Sequence, residues 1–386
     1  MNWEANKSNI RQVDWLGKGT PEPAALVAKA ADAPLGLPPI DQMIVAGDRI
    51  AIALCGAGLG ELHLLDAVLV WLGSQGVDAD HIAVVFPGWQ WNEEDTARFE
   101  SLAGGHADVQ WFNHSPQDPY GSSYLAANQA GDPIYLSRAL VDADVVMAVR
   151  SCQAGSPFDS AFRVTSDLYP LFTNAESWKR LYESYALETR KAGPWQGEES
   201  ELENWLGAVT WWEAHVSPTG ALSDVLAGLE SQLAGGRDHV LNALWDSEAV
   251  EPTDMVVLDF DDGLNWDWGR VLTAIRQARL VFERDCTLLV RGTLPELLPS
   301  ENDLESNDQA VEWLRDWTRM ECERLGAAGD LWIQSAPVEI LQDSEGWHWV
   351  DGDREAARLA ERFESCLILP GAFVMSGGCN LLLSRS

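Results

Sequence analysis

Arg49-Ile-Ala-Ile-Ala-Leu-Cys55 is a short apolar run closed by Gly47-Asp48 on one side and Gly56 on the other. It has no alternating polar face, so it reads as a strand buried on both sides, as in a parallel sheet. Working outward, Glu61 to Ser74 is helical and apolar at most positions, and Ile82-Ala-Val-Val-Phe86 is a second buried run. Asn92 to Leu102 reads as a surface helix with acidic residues in its first turn, which suits the positive end of the helix dipole. Asp108 to Asn113 and Val145 to Val149 supply two more strands. Strand and helix alternating at this spacing predict a parallel sheet with helices on its faces.

The entry to this series, residues 20 to 40, is rich in proline and is expected to be irregular. Beyond it, Ser177 to Ala192 and residues 197 to 214 are expected to be helices, the second acidic at its start. A further α/β series then begins. Met255 to Phe260, Thr287 to Arg291 and Asp330 to Gln334 read as strands, with helices over Trp268 to Leu280 and Asp308 to Leu325. A chain of 386 residues with 46% hydrophobic content is long enough for two cores. The expected fold is therefore α/β with two domains, 1–220 and 221–386, each a mostly parallel sheet flanked by helices. The last strand is free to return to the first domain.

Sixty Asp and Glu against 26 Lys and Arg give a formal charge of −34, which repels phosphate backbones and anionic membranes. Nucleic acid and membrane partners are excluded on that ground, and no apolar run approaches the ~20 residues that span a bilayer. The start, Met-Asn-Trp-Glu-Ala-Asn-Lys, lacks the basic end and apolar stretch of a signal peptide, so the expectation is cytoplasmic. Six widely spaced cysteines with no Cys-x-x-Cys read as buried, reduced thiols. The oligomeric state is left open.

The seven histidines never fall four apart, and no His-Glu-x-x-His appears, so each reads as a surface or packing residue. There is no Gly-x-Ser-x-Gly elbow and no phosphate-binding Gly-x-x-x-x-Gly-Lys loop. Gly56-Ala-Gly-Leu-Gly60 resembles a fragment of a dinucleotide loop. The third glycine of that pattern would fall at Glu61, whose side chain would crowd helix–strand packing and set an acid beside a pyrophosphate. A plain strand-to-helix turn is the simpler reading. Among 19 Trp, the pairs Trp89-Gln-Trp91, Trp211-Trp212, Trp266-Asp-Trp268 and Trp347-His-Trp349 could stack on a planar or sugar ligand; they serve equally as core filler.

Two segments carry a family resemblance. Residues 34 to 54, Pro-Leu-Gly-Leu-Pro-Pro-Ile-Asp-Gln-Met-Ile-Val-Ala-Gly-Asp-Arg-Ile-Ala-Ile-Ala-Leu, resemble the opening of the nickel-dependent lactate racemase (hydroxyacid racemase) family. Gly131-Asp-Pro-Ile-Tyr-Leu-Ser-Arg-Ala-Leu-Val-Asp-Ala-Asp-Val-Val-Met147 is similar to that family's Gly-x-Pro-x-x-x-Asn-x-x-x-x-x-Ala-Asp-x-x-Ile, with Ser137 in place of the asparagine. The chain resembles the lactate racemase N-terminal domain most clearly over residues 33 to 180. The resemblance implies a 2-hydroxy acid as substrate and a nickel pincer nucleotide, tethered to a lysine, that takes up and returns hydride. It also implies two histidines as general acid and base, a third holding the metal, and arginines on the substrate carboxylate.

Those positions are replaced here. The family's Asp-x-Thr-Arg-Pro falls on Gly56-Ala-Gly-Leu-Gly60, and its Gly-x-His-Arg on Gly88-Trp-Gln-Trp91, so Gln90 stands where a catalytic histidine is expected. An amide exchanges no proton near neutral pH. The segment with the second histidine and the tethering lysine falls on Ser151 to Thr165, which contains neither, and no lysine occurs between Lys29 and Lys179. Arg163 is the nearest cation, and a guanidinium is no nucleophile for the tether. The family's Asn-His meets Asn174-Ala175.

Three readings follow. The first is a racemase-like scaffold that binds a small ligand in an interdomain cleft without nickel chemistry, that is, a pseudoenzyme. The second is an active racemase or epimerase on a 2-hydroxy acid or sugar acid with a divergent site, the one case that keeps the nickel pincer nucleotide. The third is a non-catalytic interaction protein. No residue is assigned a catalytic or metal-binding role, and no cofactor is expected on the first reading. The candidate ligand contacts are Gln90, Trp91, Arg150, Cys152, Arg163, Asp262 and Asn265, all just past strand C-terminal ends, where open α/β sheets place ligands.

Overall fold

The computed structural model describes residues 10–12, 21–56, 58–87, 93–118, 120–128, 131–151, 168–177, 205–207, 209–216, 222–244, 253–259, 275, 278, 286–292, 331–334, 347–350 and 352–370. Among these residues the strands form two six-stranded sheets and one hairpin. The mixed α/β class with parallel sheets flanked by helices is as expected.

The first sheet runs, in spatial order, Gln110–Asn113 (β4), Ile82–Phe86 (β3), Ile50–Leu54 (β2), Val145–Ser151 (β7), Thr210–Val216 (β8) and Leu222–Gly228 (β9). All its pairings are parallel except β8 with β9. Every residue of β2 is buried, as its sequence requires. Ile50, Ile52 and Leu54 join one core with the helices Pro23–Asp32 (α1) and Leu59–Ser74 (α2). Ala51, Ala53 and Cys55 point to the other face, where Val146, Ala148, Leu171, Phe172 and Trp211 close a second core. The hairpin of Ser122–Ala127 (β5) and Pro133–Ser137 (β6) stands outside the sheet, and the helices Glu93–Gly105 (α3), Arg138–Val141 (α4) and Leu168–Leu171 (α5) follow in chain order.

Three local expectations are corrected. Residues 20 to 40 are not irregular throughout, because α1 occupies Pro23–Asp32. Its proline sits in the first turn, where no backbone N–H is needed. The helix expected over 197 to 214 gives way to β8 from Thr210 onward. Val209-Thr-Trp-Trp combines β-branched and aromatic residues, and their burial on both faces overrides the acidic start that suggested a helix. The tryptophans Trp211 and Trp212 are fully buried, so this pair fills the core rather than a ligand pocket. The helix Glu230–Leu244 (α6) after β9 was not anticipated. Residue 220, the expected boundary, falls in sequence between the paired strands β8 and β9.

The second sheet runs Ile10–Gln12 (β1), Cys366–Pro370 (β14), Met255–Asp259 (β10), Thr287–Arg291 (β11), Leu331–Gln334 (β12) and Trp347–Trp349 (β13), all parallel. The last strand thus lies in this sheet, and the first strand joins it there. The helix Gly352–Ala360 (α7) buries Ala356, Leu359 and Ala360 against Met255, Val257 and Ile368. Of the helix expected over Trp268 to Leu280, only Ile275 and Ala278 are described, both helical and buried. The helix expected over Asp308 to Leu325, and that over Ser177 to Ala192 beyond Ser177, lie outside the described residues. Cys55, Cys286 and Cys366 are buried, and burial beside Cys286 pushes the Cys366 thiol up to about 12.

Candidate functional site

In the first sheet the chain lays β2, β3 and β4 outward to one edge, then returns to place β7 on the other side of β2. The order reverses between β2 and β7, and such a switch point opens a crevice at the strand C-terminal ends. The residues there are Cys55 and Gly56 after β2, Ser151 ending β7, and the turn into α2. Gly58 is the extended N-cap of α2 and provides no capping side chain. An acidic side chain of the first turn of α2 instead ties the helix to the end of β7. Glu61, 3% exposed, folds back, and its Oε1 accepts the Ser151 backbone N–H at 3.1 Å.

The glycines of this turn make that geometry possible. A Cβ on Gly56 would lie 2.6 Å from Glu61 Oε1, and one on Gly58 would also meet the Glu61 carboxyl. Gly60 faces Val216, and this lets α2 approach β8. The turn is thus packed around an acidic side chain of the protein itself, at the position where a dinucleotide loop would need a glycine.

A second polar cluster lies under α6. Arg150 and Glu213 are partners across β7 and β8, with Arg150 Nε donating to Glu213 Oε1 at 2.9 Å. Arg237 Nε of α6 donates to both Glu213 oxygens, at 2.9 and 2.8 Å. Arg237 Nη2 reaches both Glu230 oxygens at 3.0 Å, and Arg150 Nη2 is also paired with Glu230. The Arg150 guanidinium stacks 4.1 Å from the centroid of the Trp211 ring. Burial would raise the Glu213 carboxyl, but the guanidiniums of Arg150 and Arg237 outweigh it and hold the group at about 2. Burial opposes the charge on Arg237 as well, and its hydrogen bond to Glu213 raises its pKa instead.

His215 sits one strand repeat beyond Glu213, with Nε2 3.9 Å from Glu213 Oε2, and opposes Asp224 across β9. Neither ring nitrogen finds a hydrogen-bond partner among the described residues. Burial is the main cause that lowers it to about 4. Glu213 and Asp224 pull the other way, and the two arginines add to the lowering. His114, equally buried, contacts the Thr173 carbonyl through Nε2 at 3.0 Å, and burial lowers it too. Among the described residues no three His, Cys, Asp or Glu side chains converge as a metal site.

Of the seven predicted ligand contacts, Arg150 is the one described, and its guanidinium is committed to Glu213, Glu230 and Trp211. Gln90, Trp91, Cys152, Arg163, Asp262 and Asn265 lie outside the described residues. Sequence reading missed Glu213, His215, Glu230 and Arg237. The available signal was Glu213 and His215 alternating within the apolar Val209 to Val216, since a charge inside a buried strand requires a buried partner.

Residues 6–153 match the model of the lactate racemase N-terminal domain. No curated protein matches the chain. Among solved structures, the chain is similar to the lactate racemase apoprotein of Thermoanaerobacterium thermosaccharolyticum. The TM-score is 0.63 at 10% identity, over 95% of this chain and 94% of that one. No helix among the described residues is long and apolar enough to cross a membrane. Residues 6–153 are thus similar to the lactate racemase N-terminal domain, and the fold over nearly the whole chain is similar to that of a lactate racemase apoprotein.

Proposed function

We propose that this chain uses its lactate-racemase-like scaffold to hold a small ligand at the C-terminal ends of its parallel strands, without nickel-pincer chemistry. The chemistry of the donor set carries the reading. At the position that the resemblance gives to the metal-holding histidine stands Ala175, a methyl group whose backbone N–H is bonded to Pro116 O. The neighbouring Asn174 uses its Oδ1 to accept the Ser177 N–H. After β2 the turn holds three glycines and the Glu61 carboxyl, where the family pattern has an aspartate and an arginine. No lysine between Lys29 and Lys179 is available for a tether, and Gln90 replaces a proton-transferring imidazole. These residues do not fit the pincer nucleotide.

Metal analysis of the purified full chain, with its intact mass, tests the proposal. The expected result is no stoichiometric nickel and no mass adduct. Nickel near one per chain, or lactate interconverted above background in a chiral assay, would support the active isomerase and sink this reading.

A further inference from the structure

We infer that α6 is latched to the first sheet by its buried arginine–glutamate cluster, and that a proton on His215 opens the latch by taking Glu213 from Arg237. Two charged side chains of α6 reach the sheet: Arg237 donates to both Glu213 oxygens, and Glu230 is paired with Arg150. Arg150 and Glu213 face each other across β7 and β8, so the strand ladder fixes their positions. His215 lies two residues beyond Glu213 on β8 and hence on the same face, the one that α6 covers. It is 1% exposed, and neither ring nitrogen has a hydrogen-bond partner among the described residues. Its Nε2 stands 3.9 Å from Glu213 Oε2, about 1 Å beyond hydrogen-bond length.

The charged groups around His215 are Glu213 on its own strand, Arg150 on β7, Asp224 on β9, and Arg237 and Glu230 on α6. Asp224 is itself paired with Lys29 of α1. Two guanidiniums and two carboxylates balance, and burial keeps His215 uncharged at neutral pH, so the cluster is neutral. A proton on His215 adds a third cation to it. The new imidazolium N–H needs an acceptor, and Glu213 Oε2, now held by Arg237 Nε, is the carboxylate oxygen beside it. Arg150, Glu213 and His215 are carried by paired strands, whereas Arg237 is carried by a helix whose Glu230 already reaches water. The excess charge is therefore relieved by moving the helix. His215 replaces Arg237 on Glu213, and Arg237 moves outward with Glu230 as a pair.

Amide hydrogen exchange of the full chain at pH 7.5 and 5.0, each rate divided by its intrinsic rate at that pH, tests the latch on the wild type, His215→Leu and His215→Gln. In the wild type the α6 amides are expected to exchange at least about tenfold faster at pH 5.0 than at 7.5. At pH 5.0 they are also expected to exchange at least about tenfold faster than those of β2, as an opening confined to α6 requires. Both variants are expected to remove the acceleration. Equal α6 rates at the two pH values overturn the inference, and so do α6 and β2 amides that exchange together at pH 5.0. These two outcomes are read on the wild type, so they hold even if both variants fail to fold. An acceleration that persists in either folded variant also overturns it, since another group would then be the trigger.

Discussion

Glu213 has no contact with water and is held by two arginines, one on the neighbouring strand and one on a helix. Removing one partner from such a group leaves a buried charge uncompensated. Arg237→Met is expected to cost about 3–5 kcal/mol in urea unfolding, while Arg49→Met, whose partner Asp144 is exposed, should cost less than about 1 kcal/mol. His215 gives a pH signature. It titrates ordinarily near 6.5 when unfolded and is held at about 4 in the fold, so between those values the unfolded chain binds a proton that the folded chain does not. Stability is then full above pH 6.5 and falls by on the order of 3 kcal/mol as pH drops to 4. Glu213, held at about 2 against an ordinary 4.5, extends the loss below pH 4.5. His215→Leu should flatten the upper part of that profile and leave the lower part in place. Arg150 was legible in the sequence as a cation at a strand end. Its commitment to Glu213 and Glu230, 63 and 80 residues away, was not, because no local pattern records a pairing across the sheet.

Strands buried on both faces were the most legible elements. β2, β3 and β7 announce themselves as apolar runs, and β10 and β11 do the same in the second sheet. β8 was misread because its charged residues are buried in pairs, so it lacks the uniform apolarity that marks the others. Trp212, fully buried and packed against Trp71 with ring centroids 5.9 Å apart, ties β8 to α2. Trp212→Ala should cost about 3–5 kcal/mol in thermal or urea unfolding. The turn after β2 was legible as a strand-to-helix turn, and Glu61 stood out in it as an acid where a dinucleotide loop has a glycine. What could not be read was that Gly60 is needed for contact with Val216. Gly60→Ala is expected to lower stability by about 1–3 kcal/mol, because the added methyl meets a packed strand residue rather than open space.

At the scale of the molecule, alternation of strand and helix predicted two mostly parallel sheets, and the described residues form them. The membership of the second sheet was not predictable in the same way. β1, three residues near the start, pairs with β14 near the end, a contact that no spacing rule encodes. That pairing has a consequence for the newly made chain. As the protein leaves the ribosome, the first sheet is complete once Gly228 has emerged. The second must wait for Cys366–Pro370, because that strand fills the gap between Ile10–Gln12 and Met255–Asp259. Until then Ile10–Gln12 lacks the neighbour that it has in the finished sheet. Joining β1 to β10 through β14 then closes this sheet in the manner of a clasp.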